Sequence, residues 1–559
     1  MLDFARDKKL WENVRVSDDF SQHRKELLAL YEKSFKEAPR PHSASDILEN
    51  NDNGLWRLQF DQLQSSALLS LIYPDNKEYY NALVDTAWAY LNEYTWAPLG
   101  HYTEFYYGRT PKDFDYGLLD IFACSVAFSL AEIKSLFADR FPQLLIDRIT
   151  YEIRRRTIEP FLNRKFFWET HNNNWTAVCT GAVGSVLIYE APELYFENQK
   201  RLHDAMTHYL DSYKEDGMCV EGVGYWYFGF GFFACFAMLE RELTNGSVDY
   251  LADPKVKEIA KFLQKTFLQR DILVTFGDCS INQSYFFGIP HMLRTVYGDE
   301  IEKLPPDLGL VVEDNTHFAF ALRSIIYYSK DNISDSVREG VTYTAKNSCY
   351  LFKRTSKYGF GSKGGNNGES HNHIDVGTFI IANKNRQIIC DTGAGPYEEG
   401  YHTDKRYTFF HPSAKAHNIP TFDGVGEDSI RRDDVVITYD EASSSAKMDI
   451  KEAYEGDYVK RAERCFLFEE DKITLCDSFD FTREVQVTEH FVSLIEPKIV
   501  DGVVEIDNVV LTTPNECEIK IEEKQVLAHL GNRAHSVYLI DYVLPRGKKE
   551  FKIEFDMSK

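Results

Sequence analysis

The sequence predicts a multidomain α+β chain, helical over residues 1–335 and an antiparallel β-sandwich over residues 336–559. Three observations carry this. Segments such as LLDIFACSVAFSLAEIKSLF and QLLIDRITYEIRRRTIEPFL repeat apolar residues at three- and four-residue spacing, the period of an amphipathic helix. From Val341 onward the apolar residues come in short β-rich bursts, among them VTYTAKNSCYLFKR, TFIIA, RCFLFEEDKITLCDSF, VQVTEHFVSL and SVYLIDYVL, which read as strands of packed antiparallel sheets. Between the two patterns lies SKDNISDSVREG, polar and turn-rich, which places the break near residue 335. A chain of 559 residues also exceeds what one hydrophobic core serves.

In the first half, short breaks carrying Pro, Gly, Asn or Asp separate the helical segments. Repeated helix pairs of this kind close into a bundle, a solenoid or a toroid, and periodicity does not choose among them. Charge narrows the function classes. With 87 acidic against 63 basic residues the formal net charge is -24, which argues against a nucleic-acid partner, because phosphates need a basic footprint. No apolar run approaches the roughly 20 residues of a membrane helix, so no membrane partner is expected. The start, MLDFARDKKLWENVRV, has no apolar signal core. Ten scattered cysteines form no CxxC pair, and most sit in apolar segments such as FFACFAM. Buried thiols in a reducing compartment, hence a cytoplasmic location, are the expectation.

The chemistry concentrates between Gly368 and Asn418. In GESHNHIDVGTFIIA, His371, His373 and Asp375 alternate just before a strand-like run, so the expectation is that one strand face brings them together. Asp391 follows a second apolar run, QIIC, and His417 arrives on a third segment, SAKAHN. Two histidines and a carboxylate from separate segments are what a borderline divalent metal needs. A further histidine is left over for proton transfer.

HNHIDVGTF, DTGAG and AHN together resemble the heparinase II/III-like polysaccharide lyases, whose sheet domain carries an HxHxD strand, a D-x-G turn and a later AHN. The resemblance implies an incomplete (α/α) toroid of helix pairs before the sandwich. It implies His371 as a catalytic residue and His373, Asp391 and His417 as ligands of one structural zinc ion. It implies an anionic, uronate-bearing oligo- or polysaccharide as substrate, such as a glycosaminoglycan or alginate. Such a substrate requires Arg, Lys and His to gather in one cleft of this acidic chain.

Two segments of the helical half are expected to complete the site. In WETHNNNWTAVC, three asparagines precede Trp175, where amides disfavour a helix interior. The plain reading is a helix N-cap. The resemblance implies that Asn174, with Asn173 beside it, neutralises the substrate carboxylate. Some of these lyases carry His there and Glu three residues on; here position 177 is Ala, which puts their substrate preference in doubt. In DGMCVEGVGYWYFGF the resemblance places a catalytic tyrosine at Tyr225, with Tyr227 its rival and Glu221 beside them as a substrate contact. Asp278, in TFGDCS, matches a GD element of the family and could simply cap a helix. The loop GPYEEGYHTDKRYTFFHPS offers Arg406 and Tyr407 as carboxylate or sulfate contacts, with Tyr401, His402 and His411 nearby.

These residue types suit β-elimination. Removing the C5 proton of a 4-linked uronate builds charge on its carboxylate, which amide donors stabilise without adding a titrating group. Tyr225 and His371 can each carry a proton both ways, as C5–H abstraction and O4 departure require. Two other classes compete. A non-haem Fe(II) oxygenase would use His373, Asp375 and His417 as a facial triad, with Arg431 or Arg432 for an oxo-acid, and would leave His371 and Asp391 unexplained. A catalytically inactive carbohydrate-binding protein would use the 14% aromatic content for sugar stacking.

Overall fold

The computed structural model describes residues 3–49, 54–102, 115, 117–314, 316–369, 371–398, 400, 401, 403, 405–528 and 534–558. Helices run from Lys8–Val16 to Phe318–Ile326, and antiparallel sheets begin at Val341. The helical half also holds two short strand pairs, Phe267–Gln269 with Ile272–Leu273 and Tyr285–Phe286 with Gly309–Leu310.

The helices nearest the site are apolar on almost every face. Ile121–Leu136 starts where the Asp120 carboxylate accepts from the amides of Phe122 (3.1 Å) and Ala123 (2.6 Å). Asn174–Glu190 starts where the Asn173 side chain accepts from the Trp175 amide at 3.1 Å. Both caps satisfy amides that the first turn leaves open. Gly184 lets the helix Gly231–Leu243 approach closely, since a Cβ there would lie 2.5 Å from the Phe236 ring. A single π turn, Trp226–Phe230, joins that helix to the short turn Val223–Tyr225. Val223–Leu243 is long and apolar enough to cross a bilayer by composition, yet 78% of its most apolar window is buried inside the protein.

The first sheet is a five-stranded antiparallel meander: Val341–Ala345, Tyr350–Arg354, Gly359–Lys363, Phe379–Ala382 and Gln387–Ile389. Its two faces serve different cores. Tyr350, Phe352, Ile380 and Ala382 pack with the helices, whereas Leu351, Phe360, Phe379 and Ile381 pack with the other sheets. Both faces are therefore dry, which is why TFIIA reads as an unbroken apolar run. Gly359 is required at the seam, because a Cβ would come within 2.3 Å of the Leu268 carbonyl oxygen. Behind this sheet lie an eight-stranded sheet centred on Val459–Phe468 and Lys472–Phe481 and a four-stranded sheet containing Val487–Ser493 and Ala534–Val543. Residues of all three sheets share one apolar core.

Arg464 is fully buried where these sheets meet. Its Nη2 donates to Asp477 (2.6 Å) and Glu489 (3.0 Å), and its Nη1 to the carbonyls of Gly377 (2.9 Å) and Asn418 (2.7 Å). One guanidinium thus ties two sheets to the two segments that carry HNHID and AHN. The Asn418 amide does similar work, donating to the carbonyls of Phe379 and Cys390 and accepting from Val492. Arg464→Met would strand two buried carboxylates and two carbonyls, at a cost of about 3–5 kcal/mol. Denaturant unfolding should show that loss; a change below about 1 kcal/mol would mean the network is not a structural tie.

Candidate active site

The site forms where the turn Gly277–Asp278–Cys279 of the helical half meets three segments of the sheet half. Asp278 is fully buried and caps no helix. Its carboxylate lies 2.8 Å from His371 Nδ1 and 3.0 Å from His373 Nε2, and it accepts from Arg406 Nη2 (2.8 Å) and the Tyr401 hydroxyl (3.2 Å). Burial alone would raise this carboxyl, but the two histidines and Arg406 hold it well below the usual carboxylate range.

The expectation that His371, His373 and Asp375 share a strand face fails. Residues 364–369 and 371–377 lie outside any strand, and the strand begins only at Phe379. His371 adopts the left-handed conformation, φ 52°, which no strand residue has. The imidazoles of His371 and His373 converge because both reach Asp278, whereas Asp375 turns to the buried Lys363 at 2.8 Å.

Behind His373 sits a second cluster. His373, Asp391 and His417 are buried, and their ligand atoms lie within 4.8 Å of one another. Among the described residues His373 Nδ1 and His417 Nε2 have no hydrogen-bond partner, although both are buried. Such orphaned nitrogens beside a carboxylate fit a divalent metal ion. His373 meets Asp278 through its other nitrogen, the usual outer-shell brace of a ligating histidine. Asp391 is held by His417 Nδ1 at 3.0 Å and by the Gly393 amide at 2.9 Å. An iron triad would need Asp375. Its Oδ2 is orphaned as well among the described residues, but its other oxygen is paired with Lys363, and Asp375 does not belong to the group of converging ligand atoms.

On the other side of Asp278 is a cavity of about 440 Å³ between the two halves. Asn173, Asn174, Glu221 and Tyr225 line it from the helices, and Glu369 and Arg431 from the sheets. The Asn174 amide has no hydrogen-bond partner among the described residues, and Asn173 caps its helix through its oxygen, leaving its NH2 group for the cavity. Tyr225 packs on His371 in a tilted contact with ring centroids 4.5 Å apart and planes 36° from parallel, and its hydroxyl lies 2.9 Å from that of Tyr397. Burial and then the Asp278 charge push the Tyr225 phenol well above its ordinary value, so it is protonated at neutral pH. Burial opposes charge on His371, but Asp278 and Glu221 together raise its basicity.

Other predicted contacts lie elsewhere. Tyr227 is core: the π turn after Tyr225 carries it against Phe286 and Phe320, its hydroxyl on the Phe286 carbonyl. Arg406 is buried, donating to Asp278 and to the carbonyls of His371 and Asn372, and does not line the cavity. Tyr407 is half-buried outside the cavity wall. His411 is buried between Thr392 and the Leu527 carbonyl, and His402 lies outside the described residues. Sequence reasoning passed over Tyr397 and gave Asp278 too small a part. The one signal for Asp278 was a Gly-Asp turn followed by a buried cysteine.

The same architecture recurs in solved lyase structures. The chain has the fold of the heparinase-type polysaccharide lyases. Over 98% of this chain and 92% of the other, it matches a heparan sulfate lyase from Pedobacter heparinus with a TM-score of 0.59 at 13% identity. It matches a chondroitin AC lyase of Streptomyces coelicolor A3 over 100% and 82% of the two chains (TM-score 0.59, 10% identity). A Paenibacillus xanthan lyase matches over 100% of this chain but 59% of its own length (TM-score 0.59, 10% identity). No protein-family model matches the sequence, and no curated protein does.

Two variants test the construction. His417→Ala removes one of three donors, so metal content by elemental analysis and melting temperature should fall together; a metal-free wild-type protein as stable as the variant would overturn the metal reading. Asp278→Asn keeps the shape but weakens the brace on His373, with an expected loss of about 10–100-fold in metal affinity. Unchanged affinity in a chelator competition would show that Asp278 does not orient the ligand.

Proposed function

We propose that this protein is a polysaccharide lyase that cleaves 4-linked uronate glycans by β-elimination, its helix pairs forming an incomplete toroid and its sheets a sandwich. One observation carries the reading: Tyr225 and His371, from opposite halves, lie in ring contact with centroids 4.5 Å apart, beside a cavity whose wall presents the Asn173 and Asn174 amides. Substrate sites often lie between domains in this way.

The uronate carboxylate accepts from the Asn174 amide, with Asn173 beside it. The C5–H bond breaks, its electron pair forms the C4=C5 double bond, and the C4–O4 bond breaks as O4 takes a proton. Tyr225 and His371 divide the two proton transfers between them, the phenol entering the reaction as a proton donor. Asp278 holds the His371 ring toward Tyr225. A zinc ion, held by His373, Asp391 and His417, would supply rigidity behind this loop rather than an activated water, since elimination consumes none. The polymer is a glycosaminoglycan, an alginate or a related uronate glycan.

Tyr225→Phe keeps the ring and deletes the hydroxyl. Its turnover should fall by about 10²–10⁴-fold, while oligosaccharide binding persists. Tyr227→Phe should behave as wild type, because that hydroxyl is spent on a core carbonyl. Asn174→Ala should lose about 10²–10³-fold in kcat. The readout is the ultraviolet absorbance of the unsaturated uronate, followed on heparan, chondroitin, hyaluronan and alginate oligosaccharides with mass analysis of products. Full activity in Tyr225→Phe would sink the tyrosine mechanism, and no unsaturated product from any of the four would sink the lyase reading.

A further inference from the structure

Far from the cavity, one row across the eight-stranded sheet carries chemistry that the elimination does not use. The register sets Lys447 opposite Cys465, Cys465 opposite Cys476, and Cys476 opposite Lys552. On these strands Arg464, Phe466, Leu475 and Asp477 are buried in the core. Alternation therefore turns both cysteines to the outer face, where each is half-buried. Seven of the other eight cysteines are buried, and Cys517 lies outside any strand. At the end of the hairpin the Glu469 amide donates to the Lys472 carbonyl at 2.9 Å. Steps of two residues along that register make Cys465 and Cys476 a hydrogen-bonded pair. Cα atoms of such a pair are about 5.5 Å apart, within the span a disulfide bridges. Their Cβ atoms stand about 5.5 Å apart, wider than the roughly 3.8 Å of a relaxed disulfide. A bridge here is strained, and so is readily reduced again. Burial raises both thiols, as do Glu463, Asp477 and Glu554 nearby, while Lys447 beside Cys465 and Lys552 beside Cys476 favour the thiolate.

We propose that Cys465 and Cys476 form a reversible dithiol–disulfide site that low-molecular-weight disulfides oxidise. One cysteine loses its proton to solvent and attacks a sulfur of the oxidant, whose S–S bond breaks as one small thiolate leaves and takes up a proton. The other cysteine, deprotonated in turn, attacks the protein sulfur of that mixed disulfide and displaces the second small thiolate. Two electrons and two protons pass to the oxidant in all. The bridge joins the strands one residue from Arg464 and Asp477, which face each other on the inner side. The test equilibrates the folded, full-length protein with glutathione and glutathione disulfide over a range of ratios, quenches with acid and an alkylating reagent, and maps peptides by mass. The expected product is a linked Cys465–Cys476 peptide, lighter than the separate peptides by the two thiol hydrogens and lost again in excess glutathione. Cys465→Ser and Cys476→Ser should each stop at a mixed disulfide with glutathione, and Cys517→Ser should link as the wild type does. Absence of the linked peptide at every ratio overturns the proposal, as does linkage found only in denatured protein. A wild type that stops at the mixed disulfide, or a bridge that excess glutathione leaves intact, overturns it equally.

Discussion

The site depends on one buried carboxylate at the seam between the two halves. Asp278 belongs to the helical half, yet its partners, His371, His373, Arg406 and Tyr401, all come from the sheet half. A buried carboxylate is tolerated only when its acceptor sites are filled. Here the filling groups include the histidine beside the cavity and a histidine of the His373–Asp391–His417 cluster. Docking of the halves and assembly of the site are therefore the same event.

The turn around Asp278 also spaces what lies on either side. Cys279 Sγ accepts from the Val223 amide at 3.1 Å, and the Cys279 carbonyl accepts from Ala394 at 2.8 Å. A Cβ on Gly222, φ 103°, would lie 2.4 Å from that sulfur, and one on Gly393, φ 60°, would lie 2.3 Å from that carbonyl oxygen. Both glycines are thus demanded by conformation and by space. The first opens the turn that presents Tyr225, and the second belongs to the DTG turn that presents Asp391. Three residues hold the tyrosine, the histidine pair and the Asp391 carboxylate in one frame.

What the sequence disclosed follows from what is local. The switch from helical period to strand bursts is a local pattern, and among the described residues the last α-helix ends at Ile326 before the five-stranded sheet begins at Val341. His373, Asp391 and His417 stood out by residue type, and the structure brings them together. The path to that convergence was misread: alternation suggested a strand, but the glycines and asparagines of GGNNGESHNHID form a loop, and its partners across the seam set the directions of the rings. The choice between Tyr225 and Tyr227 could not be made by helical spacing, because the π turn alters the register immediately after Tyr225. The pairing of Arg406 with Asp278 was not legible, because that carboxylate lies 128 residues away in the chain. Long-range pairing of this kind leaves no periodicity to read.

The loop that carries His371 lacks the ladder of hydrogen bonds that would steady a strand, so its rigidity must come from its ends and its partners. Gly377 at one end is held through its carbonyl by Arg464, and Val376 by the buried Glu427, which also binds Asn367. Asp375 is held by Lys363 and His373 by Asp278. The left-handed backbone at His371 costs about 1–2 kcal/mol, less than the loss of any one buried ionic anchor. The strain therefore persists in the folded state, and it turns the imidazole out of the loop toward Tyr225. Among the described residues of this loop His371 is the one non-glycine residue with a positive φ, and the anchors on both sides keep it there.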